Sequence, residues 1–119
     1  MHLPWLSAAF VSSSVLAIAN FVAVNNSLFW EYRWLDIPMH ILGGFVLAAF
    51  AIGLVPAYRP RFFIAFLASA FIAWEIFELV INVPQPDPKM FDTVYDLVND
   101  SIGAGVAFAI ARKTLWRSH

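Results

Sequence analysis

The chain contains no cysteine, which excludes disulfides, thiolate metal sites and cysteine nucleophiles. Charge is scarce: 13% of its 119 residues are Asp, Glu, Lys or Arg, and the net charge is −1. That balance argues against a nucleic-acid partner, which would draw on a basic patch. Residues 3–24, 41–55, 62–74 and 101–111 carry no charged side chain at all. No continuous charged path across those stretches is visible within one chain. Internal repeats and interdomain linkers are also missing.

What is present is apolar. Hydrophobic residues make up 61% of the sequence, and the mean hydropathy is +0.74. A soluble domain of this length could not bury so much apolar surface, so a membrane protein is expected. Four stretches, about 3–24, 37–55, 62–81 and 92–111, are long enough to cross a bilayer as helices. The expected fold is all-α: a four-transmembrane-helix bundle forming a single domain over residues 1–119. Ala17-Ile18-Ala19 imitates a signal-peptidase site, yet no Lys or Arg precedes it, so an uncleaved span is expected. Ser12, Ser13, Ser14 and Asn20 have two readings, bonding to neighbouring helices or back onto their own.

Between the first two spans, Trp30, Tyr32 and Trp34 are the amphipathic rings expected at a lipid–water interface. Asp36-Ile37-Pro38 reads as an N-cap followed by a first-turn proline, and Asp92 reads as an N-cap for the fourth span. Gly43, Gly44 and Ala48, and then Gly103, Gly105 and Ala107, form small-residue faces suited to close helix contact. A stiff proline connector is expected over residues 83–89. His2 and His119 are terminal and expected in solvent.

Four spans place both termini and the Arg59–Arg61 loop on one side, together with Arg112, Lys113 and Arg117. The opposite side holds only Arg33 and Lys89, so the positive-inside rule assigns cytoplasmic termini. All the acids then lie toward the outer face: Glu31, Asp36, Glu75, Glu78, Asp87, Asp92, Asp96 and Asp100. At about 1.5 Å of rise per residue, His40 and Asp96 each lie roughly 6 Å below the outer start of their helices. Glu78 and Glu75 lie roughly 5 and 9 Å below the outer end of theirs, and Asp100 roughly 12 Å below Asp92. Asp36/His40, Glu75/Glu78 and Asp92/Asp96/Asp100 each share a helix face. Three helices thus deliver ionisable groups to one layer.

Carboxylates around one imidazole cannot all be ionised and unpaired inside a membrane. A bound cation, protons or a water-filled crevice would resolve the conflict. The donor set suits a divalent metal ion such as Mg²⁺, Mn²⁺, Ca²⁺ or Zn²⁺. His40, Glu75, Asp92, Asp96, Asp36 and Asp100 are the candidate ligands, with Glu78 and His40 as candidate catalytic groups and Glu78 the general base. The blander reading makes Asp36 and Asp92 caps only and His40 a packing residue. No cap explains two acids late in an apolar helix, and Glu75 and Glu78 resist that reading.

Three segments together resemble the YjdF-like family of small bacterial inner-membrane proteins. They are Leu35-Asp36-Ile37-Pro38-Met39-His40 with Gly43-Gly44, Trp74-Glu75-Ile76-Phe77-Glu78, and Asp92-Thr93-Val94-Tyr95-Asp96 leading to Ile102-Gly103-Ala104. More distantly, Asp96, Asp100 and Gly103 look like the Asp-x-x-x-(Asn/Asp)-x-x-Gly pattern of the VanZ-like family, which is associated with glycopeptide-antibiotic tolerance. The resemblance implies a multi-pass protein of the bacterial inner (cytoplasmic) membrane and the same polar positions that depth selects. The leading functional expectation is a metal-dependent hydrolase or transferase acting on a lipid or lipid-linked head group at the outer leaflet, with membrane lipids as partners. The alternatives are proton- or cation-linked transport, which would need a homo-oligomer to build a path, and a non-catalytic module locked by a bound cation.

Overall fold

The computed structural model of the chain describes residues 1–81 and 89–119. Helix α1 spans Leu3–Asn25, α2 Leu28–Glu31, α3 Asp36–Leu54, α4 Pro60–Val80 and α5 Lys89–Thr114, with a 3-10 turn over Arg33–Leu35. Four helical segments, with α3 extended to Arg33, are long and apolar enough to cross a bilayer. Prolines open α1 and α4 in their first turns, where the missing N–H has no helical partner to lose. Ser27, at φ 55°, takes the left-handed conformation that turns the chain from α1 into α2. The connector is thus more helical than its sequence suggests, and Trp30 and Trp34 project outward from it.

Contacts between helix ends give the topology. The His2 backbone N–H donates to the Gly53 carbonyl at 2.7 Å, joining the start of α1 to the end of α3. The Trp116 indole N–H donates to the Pro56 carbonyl at 2.6 Å, and the His119 ring stacks on Tyr58 with centroids 5.1 Å apart. Both termini and the α3–α4 loop therefore share one end. The starts of α3 and α5 meet at the other.

Helix α3 lies between α1 and α5, while α4 touches α3 and α5 more sparsely. The residues at these contacts are small: Ala48, Ala49 and Ala51 of α3 meet a core that includes Ala9, Ala104, Ala107 and Ala111. Large apolar side chains point outward instead, among them Phe10 at 73% exposure and Val80 at 77%. In water such a surface would be an aggregation hazard, but against lipid it matches its solvent. Association then depends on close packing. Gly44 and Gly103 provide it at the α3–α5 crossing. A Cβ on Gly44 would collide with the Asp100 carbonyl, and one on Gly103 with the Ile41 carbonyl.

Four sequence expectations change here. Asp36 is not an N-cap: Leu35 holds that position, Asp36 is already helical, and no side-chain cap bond forms. Asp92 is not one either, because α5 begins at Lys89 and Asp92 lies within its first turn. Gly105 meets nothing within 4 Å, being about 200° around the helix from Gly103. His2 is half-buried, with Nδ1 shielded and without a hydrogen-bond partner among the described residues. Ser12, Ser13 and Ser14 bond to their own helix, Ser12 to Ala8 and both Ser13 and Ser14 to Phe10. The proline connector lies outside the described residues, apart from Lys89, which belongs to α5.

Candidate functional site

The site grows out of three regular patterns. On α4 the buried residues are Phe63, Leu67, Phe71 and Glu75, every fourth position along one stripe. A fourth apolar side chain would complete that stripe as packing. A carboxylate completes it instead, and Glu78 follows one turn later. On α3, Asp36 and His40 are one turn apart. On α5, Asp92, Asp96 and Asp100 climb one face, and the Gly44–Gly103 crossing brings that face against His40.

His40 is the hub. Its Nδ1 lies 3.0 Å from Asp100 Oδ1, a hydrogen bond when that nitrogen carries the proton. Its Nε2 then faces Asp96 Oδ1 at 3.5 Å and Asp36 Oδ1 at 3.6 Å. Those gaps are too long for good hydrogen bonds. They suit a shared cation, since two donors each about 2.1 Å from a tetrahedral ion stand about 3.4 Å apart. The Asp100 contact is the kind of carboxylate that fixes the tautomer and tilt of a metal-binding histidine.

Exposure falls off inward. Asp36 keeps 44% of its side-chain surface and His40 12%, whereas Glu75, Asp96 and Asp100 are buried. Neither Glu75 oxygen has a hydrogen-bond partner among the described residues. An unsatisfied buried polar group costs about 1–3 kcal/mol, and a charged one more. Among the described residues, no Lys or Arg forms an ion pair with Glu75, Asp96 or Asp100; His40 is the base that Asp96 and Asp100 meet. Below this layer the α3–α5 contact is apolar and rich in glycine and alanine, with no further ionisable group on either helix until Arg112.

Among the described residues, three sets of side chains could hold a metal ion: Asp36, His40 and Asp96; His40, Glu75 and Asp100; and Glu75, Glu78 and Asp96. Within each set the ligand atoms lie within 4.8 Å of one another. Asp92 belongs to none of them and stands half-buried one turn outward. Glu78, expected as a general base, sits where it fits a ligand position beside Glu75 and Asp96. Asn99 was not foreseen: it is buried, and its Nδ2 has no hydrogen-bond partner among the described residues. Its place three residues after Asp96, within Asn99-Asp100-Ser101, was the available signal. Comparison with protein-family models, curated proteins and solved structures finds no match.

Proposed function

We propose that this chain is a multi-pass protein of the bacterial inner membrane, with cytoplasmic termini, that binds divalent cation in its outer layer. It uses that cation to hydrolyse or transfer the head group of a lipid or lipid-linked substrate. The observation that carries the reading is Glu75: a buried carboxylate, without a hydrogen-bond partner among the described residues, grouped with other carboxylates and His40. Protonated His40 would answer Asp36, Asp96 and Asp100 without any metal, but it leaves Glu75 unanswered. A cation answers both. Its chemistry would be to polarise a phosphoryl or ester oxygen and activate a bound water. Asp36, half-exposed at the rim, leaves the layer open toward the head-group region, where such a substrate would approach. The kinship with YjdF-like proteins is part of this proposal and rests on the three motif segments alone.

Elemental analysis of purified protein tests the binding, with release of phosphate or head group from lipid-linked substrates as the activity readout. The expected result is stoichiometric divalent metal and cation-dependent turnover that Glu75→Gln abolishes. Metal-free protein, unaffected by added Mg²⁺, Mn²⁺, Ca²⁺ or Zn²⁺, would sink the reading. The second reading, a cation-locked module without turnover, draws on the surface shape. Two apolar grooves, one along Val94, Leu97, Val98, Ser101 and Ile102 and the other lined mainly by Pro4, Trp5, Ala8, Phe45 and Ile110, include no member of the cluster. Cation-dependent stability without turnover of any head group would favour it.

A further inference from the structure

The three candidate ligand sets overlap, and the overlap limits how many ions satisfy the cluster. We propose that it holds two divalent cations bridged by the Asp96 carboxylate, an inference that rests on the cation-binding reading above. One ion would lie among Asp36, His40 Nε2 and Asp96; the other among Glu75, Glu78 and Asp96. Asp96 is common to both sets. Its Oδ1 faces His40 Nε2 at 3.5 Å, and a carboxylate has a second oxygen with which to bridge to another ion.

A single ion fails in either position. Placed between Asp36, His40 and Asp96, it leaves Glu75 buried with both oxygens unanswered. Placed between the glutamates and Asp96, it leaves His40 Nε2 and Asp36 to each other at 3.6 Å, a gap too long for a good hydrogen bond even when Nε2 carries a proton. The remaining set, His40 with Glu75 and Asp100, requires Nδ1 as the ligand. That would break its 3.0 Å contact with Asp100. Two divalent ions balance the four carboxylates of Asp36, Asp96, Glu75 and Glu78 in charge, while Asp100 accepts the His40 proton. Three protein ligands at each ion leave coordination positions for substrate oxygens and water. A pair about 3.5–4 Å apart is the arrangement that clamps the attacking and leaving oxygens of a displacement at phosphorus. The substrate class this favours is a phosphoester or phosphoanhydride head group.

Metal counting after reloading the purified full chain with Mn²⁺ tests this directly. Wild type is expected to bind two ions per chain, Asp36→Asn and Glu78→Gln one each, and Asp96→Asn fewer than one. Electron paramagnetic resonance of the Mn²⁺-loaded wild type gives a second measurement that no variant's folding can confound. A spin-coupled pair is expected, in place of the six-line signal of isolated Mn²⁺. One ion per chain with a six-line spectrum would overturn the paired centre while leaving cation binding intact. No bound ion would instead remove the reading beneath it.

Discussion

At the end of the bundle that holds both termini, Trp116 donates to the Pro56 carbonyl at 2.6 Å and packs against Tyr58, Phe63 and Phe108. Arg112 lies over the Tyr58 ring at 5.1 Å, a cation–π contact. At the opposite end, one imidazole meets three carboxylates, and Glu75 is buried among further acids. The first end is held by groups that the chain itself supplies in complementary pairs. The second concentrates carboxylates around a single imidazole, in sets whose geometry could hold a metal ion. The difference is one of pairing: one end closes the fold with complementary partners, and the other gathers acids around one base.

The Gly44–Gly103 crossing lies between the two ends, so breaking it should break both. Gly44→Leu and Gly103→Leu each force a side chain into the backbone of the facing helix. The expected cost is of order 3 kcal/mol or more, since the overlap is with backbone and cannot be relieved by a rotamer change. Thermal denaturation in detergent should show loss of the cooperative transition. Gly105→Ala is the control. It meets open space and should be neutral or stabilising by up to about 1 kcal/mol. Equal damage from Gly103→Leu and Gly105→Ala would refute the crossing.

Much of this contrast could be read before any coordinates. Apolar stretches about 20 residues long with few charges have one economical solution in a bilayer, which is why four spanning-length helices were legible. The layer of His40, Glu75, Glu78, Asp96 and Asp100 was legible because helical rise is fixed and charges are few. Rotation about each helix axis was not. Gly103 and Gly105 look alike in a list of small residues, yet they face nearly opposite ways. Helix starts were hidden too, because Asp36 and Asp92 look like caps until the helix is seen to begin at or before them. Asn99 escaped notice since an amide beside three acids draws no attention by charge, and only burial reveals it.

Chelation should affect the two ends differently. A ligand that binds only the folded state at a hundredfold excess over its Kd stabilises by about 2.7 kcal/mol. Removing cation from the wild type should therefore lower its melting temperature by that equivalent. Glu75→Gln, having lost a ligand and relieved some repulsion, should respond clearly less than the wild type. Trp116→Phe supplies the contrasting case. It keeps an aromatic ring but loses the donor to Pro56, so about 1 kcal/mol should vanish. That loss should be the same with and without chelator. Should Trp116→Phe abolish the chelator response, the two ends are energetically coupled and the contrast fails.

The smallest expected effect is the sharpest discriminator. Asp92 and Asp96 lie one turn apart on the same face of α5. The change to Asn is chemically the same at both, removing one charge and keeping the shape. Residue type and helix face give no reason for them to differ. Their surroundings do: Asp96 is buried and belongs to two ligand sets, while Asp92 is half-buried and belongs to none. Asp96→Asn should therefore lose bound metal and the stabilisation that comes with it. Asp92→Asn should retain the wild-type metal content, with a stability change within about 0.5 kcal/mol, as for substitutions away from tightly packed or paired sites. Metal analysis on the two purified variants side by side checks this. Equal metal loss from both would show that the cation sits a turn further out than His40 allows, at the rim instead of within the buried layer.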